Sequence, residues 1–245
     1  MFIKNIEKRR LKGILKTMIQ EQSHEMFDHL DGASPHITLK REHFRHTPKD
    51  IRDKIAKGIV HFSAQCADFL FQERYGHRAV VLETIAAVPG IIGGFFQHLK
   101  SLRFIRDDHG WIKVLLDEAE NERMHLIIYS EIARPNIVER ALIIIVQFFF
   151  SILFFTLYLL SPRTAHRVVG YFEEEAIHSY EHYLRLVHEG KHQNIEATEM
   201  AKRYWNLMPE ARLTDMIEAT IVDEMAHRDV NHRFSNDIYG TRMWR

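Results

Sequence analysis

The chain has 245 residues, one cysteine and a formal net charge of +0, with 33 basic and 33 acidic side chains. A lone cysteine excludes an internal disulfide, and zero net charge removes the basic field that nucleic-acid binding requires. Gly and Pro make up about 7% of the chain against a usual ~12%, which favours long helices over sandwiches or Gly-rich loops.

At the N-terminus, Phe2, Ile3, Ile6, Ile14, Leu15 and Met18 fall roughly on one helical face, with Lys8, Arg9, Lys12 and Lys16 mostly off it. This basic arm suits either an anionic membrane surface or packing on its own domain, and it lacks the apolar core of a secretory signal. Asp31 to Asp50, with Pro35 and Pro48, reads as a loop, so residues 1–50 form an arm and residues 51–245 the main domain. From Ile51 the pattern is helical, with breaks predicted at Pro89-Gly90, Asp108-His109-Gly110, Pro135, Ser161-Pro162, Gly190 and Pro209. A last helix runs from Asp215 to Tyr239. No alternating strand pattern appears, and the chain reads as all-α. Cys66 falls inside the first helix of the domain and reads as a buried small residue.

Residues i, i+3, i+4 and i+7 share a helix face. On that rule four glutamates sit in mostly apolar stripes. Glu83 lies with Ala79, Val80, Ala86 and Ala87, and Glu122 with Leu115, Ala119, Leu126 and Tyr129. Glu173 lies with Val169, Ala176, Ile177 and Tyr180, and Glu224 with Ile217, Thr220 and Ile221. A charged glutamate is almost never buried without a partner. Two of the four carry a histidine three residues on, His125 and His227, placed to ligate the same ion. Glu-x-x-His recurs at Glu21/His24, Glu175/His178 and Glu189/His192. The first of these lies in a polar run and the third straddles Gly190, while the Glu175 pair competes. The joint pattern is more specific than any single pair. Two lone glutamates plus two Glu-x-x-His motifs on separate helices match a ferritin-like four-helix bundle holding two iron or manganese ions. Oxygen ligands with one imidazole per metal suit iron or manganese, and four carboxylates would neutralise two divalent ions.

At these residues the chain resembles the alternative oxidases, di-iron ubiquinol oxidases of mitochondria and some bacteria. The matching strings are RYGHRAVVLETIAAVPG, GWIKVLLDEAENERMHL, SPRTAHRVVGYFEEEAIHSY and DEMAHRDVNH, in order over about two-thirds of the chain. The resemblance implies two iron ions held by Glu83, Glu122, His125, Glu173, Glu224 and His227, and it chooses Glu173 over Glu175. It implies a redox-active tyrosine at Tyr180. It also implies a quinol pocket lined by Arg78, Leu82, Phe172, Glu175, Ala176 and Ser179, with Phe172 where the family usually has Leu. Asn121, His166, Trp205 and Asp223 match residues near its metal shell. The substrates implied are ubiquinol and O₂, with no proton pumping.

Ala141 to Leu160 is 20 residues without a charge, about 30 Å as a helix, and taken alone reads as transmembrane. Ile85 to Leu99 is also apolar but interrupted by Pro89 and glycines. If either spanned, ligands of one cluster would lie on opposite sides of the bilayer. Both are therefore expected to form an apolar face set in one leaflet, a monotopic attachment. The corresponding surface would be the cytoplasmic side of a bacterial inner membrane or the matrix side of the mitochondrial one. The resemblance also implies a homodimer. A di-iron hydroxylase of the quinone pathway is the nearest alternative. An iron-storage bundle and a plain membrane-spanning protein are further ones.

Overall fold

The computed structural model describes residues 45–71 and 75–240; the basic arm and most of the predicted loop lie outside them. The described residues form helices α1 (Ile51–Phe71), α2 (Tyr75–Phe104), α3 (Trp111–Ala133), α4 (Ile137–Leu160), α5 (Pro162–His188), α6 (Glu199–Tyr204) and α7 (Leu213–Gly240). They contain no strand, only an isolated bridge between Glu196 and Arg212.

Local signals set most of the boundaries. The Asp50 carboxylate accepts from the backbone N–H of Asp53 at 3.0 Å to open α1. Asn136 opens α4 with a reciprocal capping box, its side chain accepting from Glu139 N while the Glu139 carboxylate accepts from Asn136 N. Ser161 caps α5, with Pro162 in the first turn, where its missing N–H costs nothing. The predicted breaks at 108–110, 135, 190 and 209 fall between helices, and the one at 161–162 falls where α4 ends and α5 begins.

The break predicted at Pro89-Gly90 does not occur. Helix α2 runs through it for 30 residues. What the glycine supplies is close approach rather than a stop. A Cβ on Gly90 would lie 2.3 Å from the Leu115 carbonyl oxygen and 3.0 Å from Ala119 Cβ. Burial of α2 against α3 holds the helix through its proline, which on its own removes one backbone bond.

Helices α2, α3, α5 and α7 form a four-helix bundle. Ala79, Val80, Tyr129, Ile177, Tyr180, Tyr183, Ile217 and Ile221 bring all four into one core. Helix α1 packs outside, through Ala56 and Val60 against Val168 and Tyr171 of α5. Cys66 is exposed, contrary to the sequence reading. It lies off the Asp53–Ala56–Val60–Ala67 stripe that α1 turns inward.

Helix α4 lies along α2 and α5. Phe154 and Tyr158 pack on Ala165 and Val169, and Gln147 donates to the Thr84 carbonyl at 3.2 Å. Its other side is bare: Ile144, Phe148, Phe149, Leu153 and Leu160 are each more than half exposed. Helices α2 and α4 are both long and apolar enough to cross a membrane.

Candidate metal centre

The four glutamates drawn from the apolar stripes meet at the centre of the bundle. Glu83 comes from α2, Glu122 and His125 from α3, Glu173 from α5, and Glu224 and His227 from α7. All are buried, with Glu122 and His125 fully so. Two overlapping groups result. Glu83, Glu122, His125 and Glu224 offer ligand atoms within 4.8 Å of one another, and so do Glu122, Glu173, Glu224 and His227. Each group thus has its own histidine and its own outer glutamate, and the two share Glu122 and Glu224.

The donor atoms point at one another without satisfying one another. His125 Nδ1 stands 3.3 Å from Glu224 Oε1, 3.4 Å from Glu83 Oε2 and 3.7 Å from Glu122 Oε2. His227 Nδ1 stands 2.7 Å from Glu122 Oε1 and 3.6 Å from Glu224 Oε2. Yet both oxygens of Glu122, one each of Glu83 and Glu224, and Nδ1 of both histidines make no hydrogen bond. Buried polar atoms are normally paired. Six converging donors left unpaired in two shared groups fit two metal ions.

The electrostatics point the same way. Burial, and then the charges of Glu122 and Glu224, push the Glu83 carboxyl well above its ordinary range. Burial, followed by Glu224 and Glu122, does the same to Glu173. Glu122 is held well below its range: burial opposes this, but His227 and His125 outweigh it. Both histidines are raised against the effect of burial, His125 through Asp223 and the glutamates and His227 through Glu122. Without cations the cluster keeps its charges apart only by holding protons, which bound metal would displace.

A second layer orients the ligands. His125 Nε2 lies 3.1 Å from Asp223 Oδ2, which fixes the ring and leaves Nδ1 facing the cluster. The same oxygen accepts from Trp205 Nε1 at 2.8 Å and Asn121 Nδ2 at 3.0 Å. His166 sits further out. Its Nδ1 meets Asn231 Oδ1 at 3.0 Å, and Asn231 Nδ2 donates to the buried Glu118 and to the His227 carbonyl. Burial pushes the Glu118 carboxyl up to about 7. Sequence reasoning missed Glu118, although it lies one turn before Glu122 on the same face.

Tyr180 is buried and donates a hydrogen bond to Glu83 Oε1. Its ring centroid is 5.4 Å from that of Tyr129. Burial, and then Glu83, push its phenol well above the ordinary tyrosine range. The predicted pocket residues line two crevices beside the cluster. Arg78, Leu82, Phe172, Glu175 and Ala176 line one, together with Glu173. Leu82, Ala176 and Ser179 line the other, together with Glu83 and Tyr180. Glu175 is only half-buried and its partner His178 is exposed, so this competing Glu-x-x-His motif stays outside the cluster.

Sequence reasoning also missed a buried polar network where α1 meets α5 and α7. Arg167 Nε donates to Asp53 Oδ1 at 3.0 Å, and its Nη1 meets His232 Nδ1 at 2.8 Å. The His46 backbone N–H donates to Glu174 Oε1 at 2.6 Å. Arg167 and Asp53 are 114 residues apart, so no local spacing announces the pair.

The profile of the alternative oxidase family matches residues 36–236. The chain is 50% identical over 206 residues to ubiquinol oxidase 2, mitochondrial, of Arabidopsis thaliana, covering 84% of this chain and 57% of that one. It is 52% identical over 194 residues to ubiquinol oxidase 1a, mitochondrial, of Oryza sativa subsp. japonica, covering 79% and 58%. It is 49% identical over 191 residues to ubiquinol oxidase, mitochondrial, of Batrachochytrium dendrobatidis, covering 78% and 60%. The chain therefore spans less than two thirds of the length of these relatives. With a match across most of its own length, centred on the helices that carry the cluster, the chain belongs to the alternative oxidase family.

Proposed function

We propose that this chain is a membrane-bound, di-iron ubiquinol oxidase. The observation that carries the reading is the pair of donor groups sharing Glu122 and Glu224, with Tyr180 bonded to Glu83 and both lining a crevice. Two iron ions held by Glu83, Glu122, His125, Glu173, Glu224 and His227 supply, when bound, the electrons passed to O₂. Over a full cycle two ubiquinols give four electrons and four protons to one O₂, leaving two ubiquinones and two waters.

The chain's own residues prepare this chemistry. Arg78 and Glu175 line the same crevice and offer a donor and an acceptor for the two ends of a quinol hydroxyl. Leu82, Phe172 and Ala176 hold the quinone ring and exclude water. Tyr180, hydrogen-bonded to Glu83, passes its phenolic proton and one electron to the oxygen being reduced and regains both from quinol. Asp223 keeps His125 in the tautomer whose Nδ1 is available to metal. Quinol enters and quinone leaves on one side of the membrane, so the turnover moves no proton across it.

Attachment to one leaflet is the second half of the proposal. Helix α4 lies against the bundle, and His77 Nδ1 stands 3.1 Å from Glu139 Oε1 near its first turn. Spanning along α4 would draw the charged outer faces of α3 and α7 into hydrocarbon, at a cost of several kcal/mol for each charge. Laying the bare side of α4 flat on a leaflet buries it without that cost.

The test is metal analysis combined with oxygen uptake on a reduced short-chain quinol. The purified protein should hold about two irons per chain, and Glu122→Ala and His227→Ala should lose iron and turnover together. Quinone as product separates oxidase from hydroxylase. Full quinol oxidation by an iron-free variant would overturn the reading.

A further inference from the structure

A further cavity, larger than either crevice, lies apart from both. It has a volume of about 540 Å³ and opens where the C-terminal ends of α2 and α4 meet Pro162 at the start of α5. Leu99, Leu159 and Leu160 line it, and so do Lys100, Arg103 and Arg106. No carboxylate is among its lining residues. Neither Arg103 nor Arg106 forms an ion pair with a carboxylate among the described residues. The cavity is therefore an apolar slot with cations along its rim, cut into the face formed by α2 and α4. Beside it the chain turns through Ile105, which is 93% exposed and has a φ of 48°. An isoleucine placed so, in a left-handed turn, is unfavourable in water and suits insertion into an interface.

We propose that this cavity binds one anionic phospholipid, with Arg103 and Arg106 holding the phosphate and an acyl chain lying over Leu99, Leu159 and Leu160. The charge pattern selects this occupant. A neutral lipid would leave Arg103 and Arg106 without a counter-charge, whereas a guanidinium pair matches phosphate oxygens in a fork geometry. The apolar half of the slot excludes a soluble anion as the preferred ligand, because only an amphiphile fills both parts. The site lies on the apolar α2–α4 face, outside both crevices beside the metal cluster, so its occupant would fix how the molecule sits on the leaflet. This rests on the single-leaflet reading above.

The experiment uses the full chain purified in detergent. Phosphorus assay and native mass spectrometry should find about one phospholipid retained per chain, and phosphatidylglycerol should restore it after delipidation while phosphatidylcholine does not. The double variant Arg103→Gln/Arg106→Gln should lose the retained lipid and bind phosphatidylglycerol vesicles roughly 30-fold more weakly, at about fivefold per cation. Arg185→Gln/Arg203→Gln removes the same charge from exposed positions elsewhere and should keep the lipid. An unchanged helical circular dichroism spectrum shows that each variant folds. Equal losses in both double variants would reduce the site to diffuse attraction and overturn the proposal. Glycerol phosphate displacing the lipid at millimolar concentration would overturn it in favour of a soluble anion. Wild-type protein that binds no vesicle of either composition fails the membrane reading itself, a result separable from loss of this site.

Discussion

Among single residues, Tyr180 is the one at which the proposed function separates metal holding from turnover. It touches Glu83 but is not needed as a ligand, since six other side chains supply the donors. Tyr180→Phe keeps the ring and should cost about 0.5–1.5 kcal/mol of stability for one hydrogen bond. The variant should fold, load iron and lose nearly all quinol oxidation. Near-normal oxygen uptake by the iron-replete variant would leave Tyr180 a purely structural role. His166 gives a prediction about pH. Burial pushes its pKa down to about 4 from 6.5, partly offset by the Asn231 hydrogen bond. The unfolded chain therefore takes up this proton first as pH falls, and stability drains from about 6.5 down to about 4. Between pH 7 and 5 the wild type should lose about 2 kcal/mol more than His166→Gln, read by denaturant melts at each pH. The four glutamates that meet in the cluster were legible in the sequence because burial of an acid contradicts its solvation, and the two histidines because each follows one of those glutamates by three residues. The sharing of Glu122 and Glu224 was not, because a stripe shows which side of one helix is buried but not what faces it. The Asp53–Arg167–His232 network stayed hidden for the same reason: each member looks like an ordinary surface charge until the partner helix is placed.

For the helices, the packing of α2 on α3 carries the largest consequence. Gly90 sits against Leu115 and Ala119, a position where even one methyl group has no room. Gly90→Ala must push the two helices apart, and should destabilise by about 1–3 kcal/mol or more, measured as a lowered midpoint of thermal unfolding. Glu83 and Glu122 ride on the two helices being separated, so iron retention should fall with stability. The reading of Pro89-Gly90 as a break failed at this level. Proline and glycine weaken an isolated helix, but the local rule carries no information about a neighbour only 2.3 Å from a would-be Cβ. The other breaks were legible because they combine a breaker with exposure, as at Gly110 and Gly190, both left-handed and with open space around them. Cys66 was misjudged by residue type alone, since its side of α1 is left exposed by the described residues.

For the whole molecule, the question is which way it meets the bilayer. With Cys66→Ser as background, single cysteines at Asp107, before α3, and Glu189, after α5, should both react with an impermeant thiol reagent added from the same side of sealed vesicles. Opposite sidedness would mean that α4 crosses. The order of the helices along the chain also has a consequence for how the protein is made. Glu83 leads the donors and His227 closes them, and both α2 and α4 precede the last of these. Leu160 is synthesised 67 residues before His227, roughly 3 to 13 s earlier at ~5–20 residues per second. Throughout that interval the ribosome carries two apolar helices that no finished bundle can yet shelter, and a nascent chain at the membrane surface has lipid to cover them. On the proposed reading iron can be captured only after α7 has docked, so docking on the leaflet would come first in the life of each molecule and metal loading last.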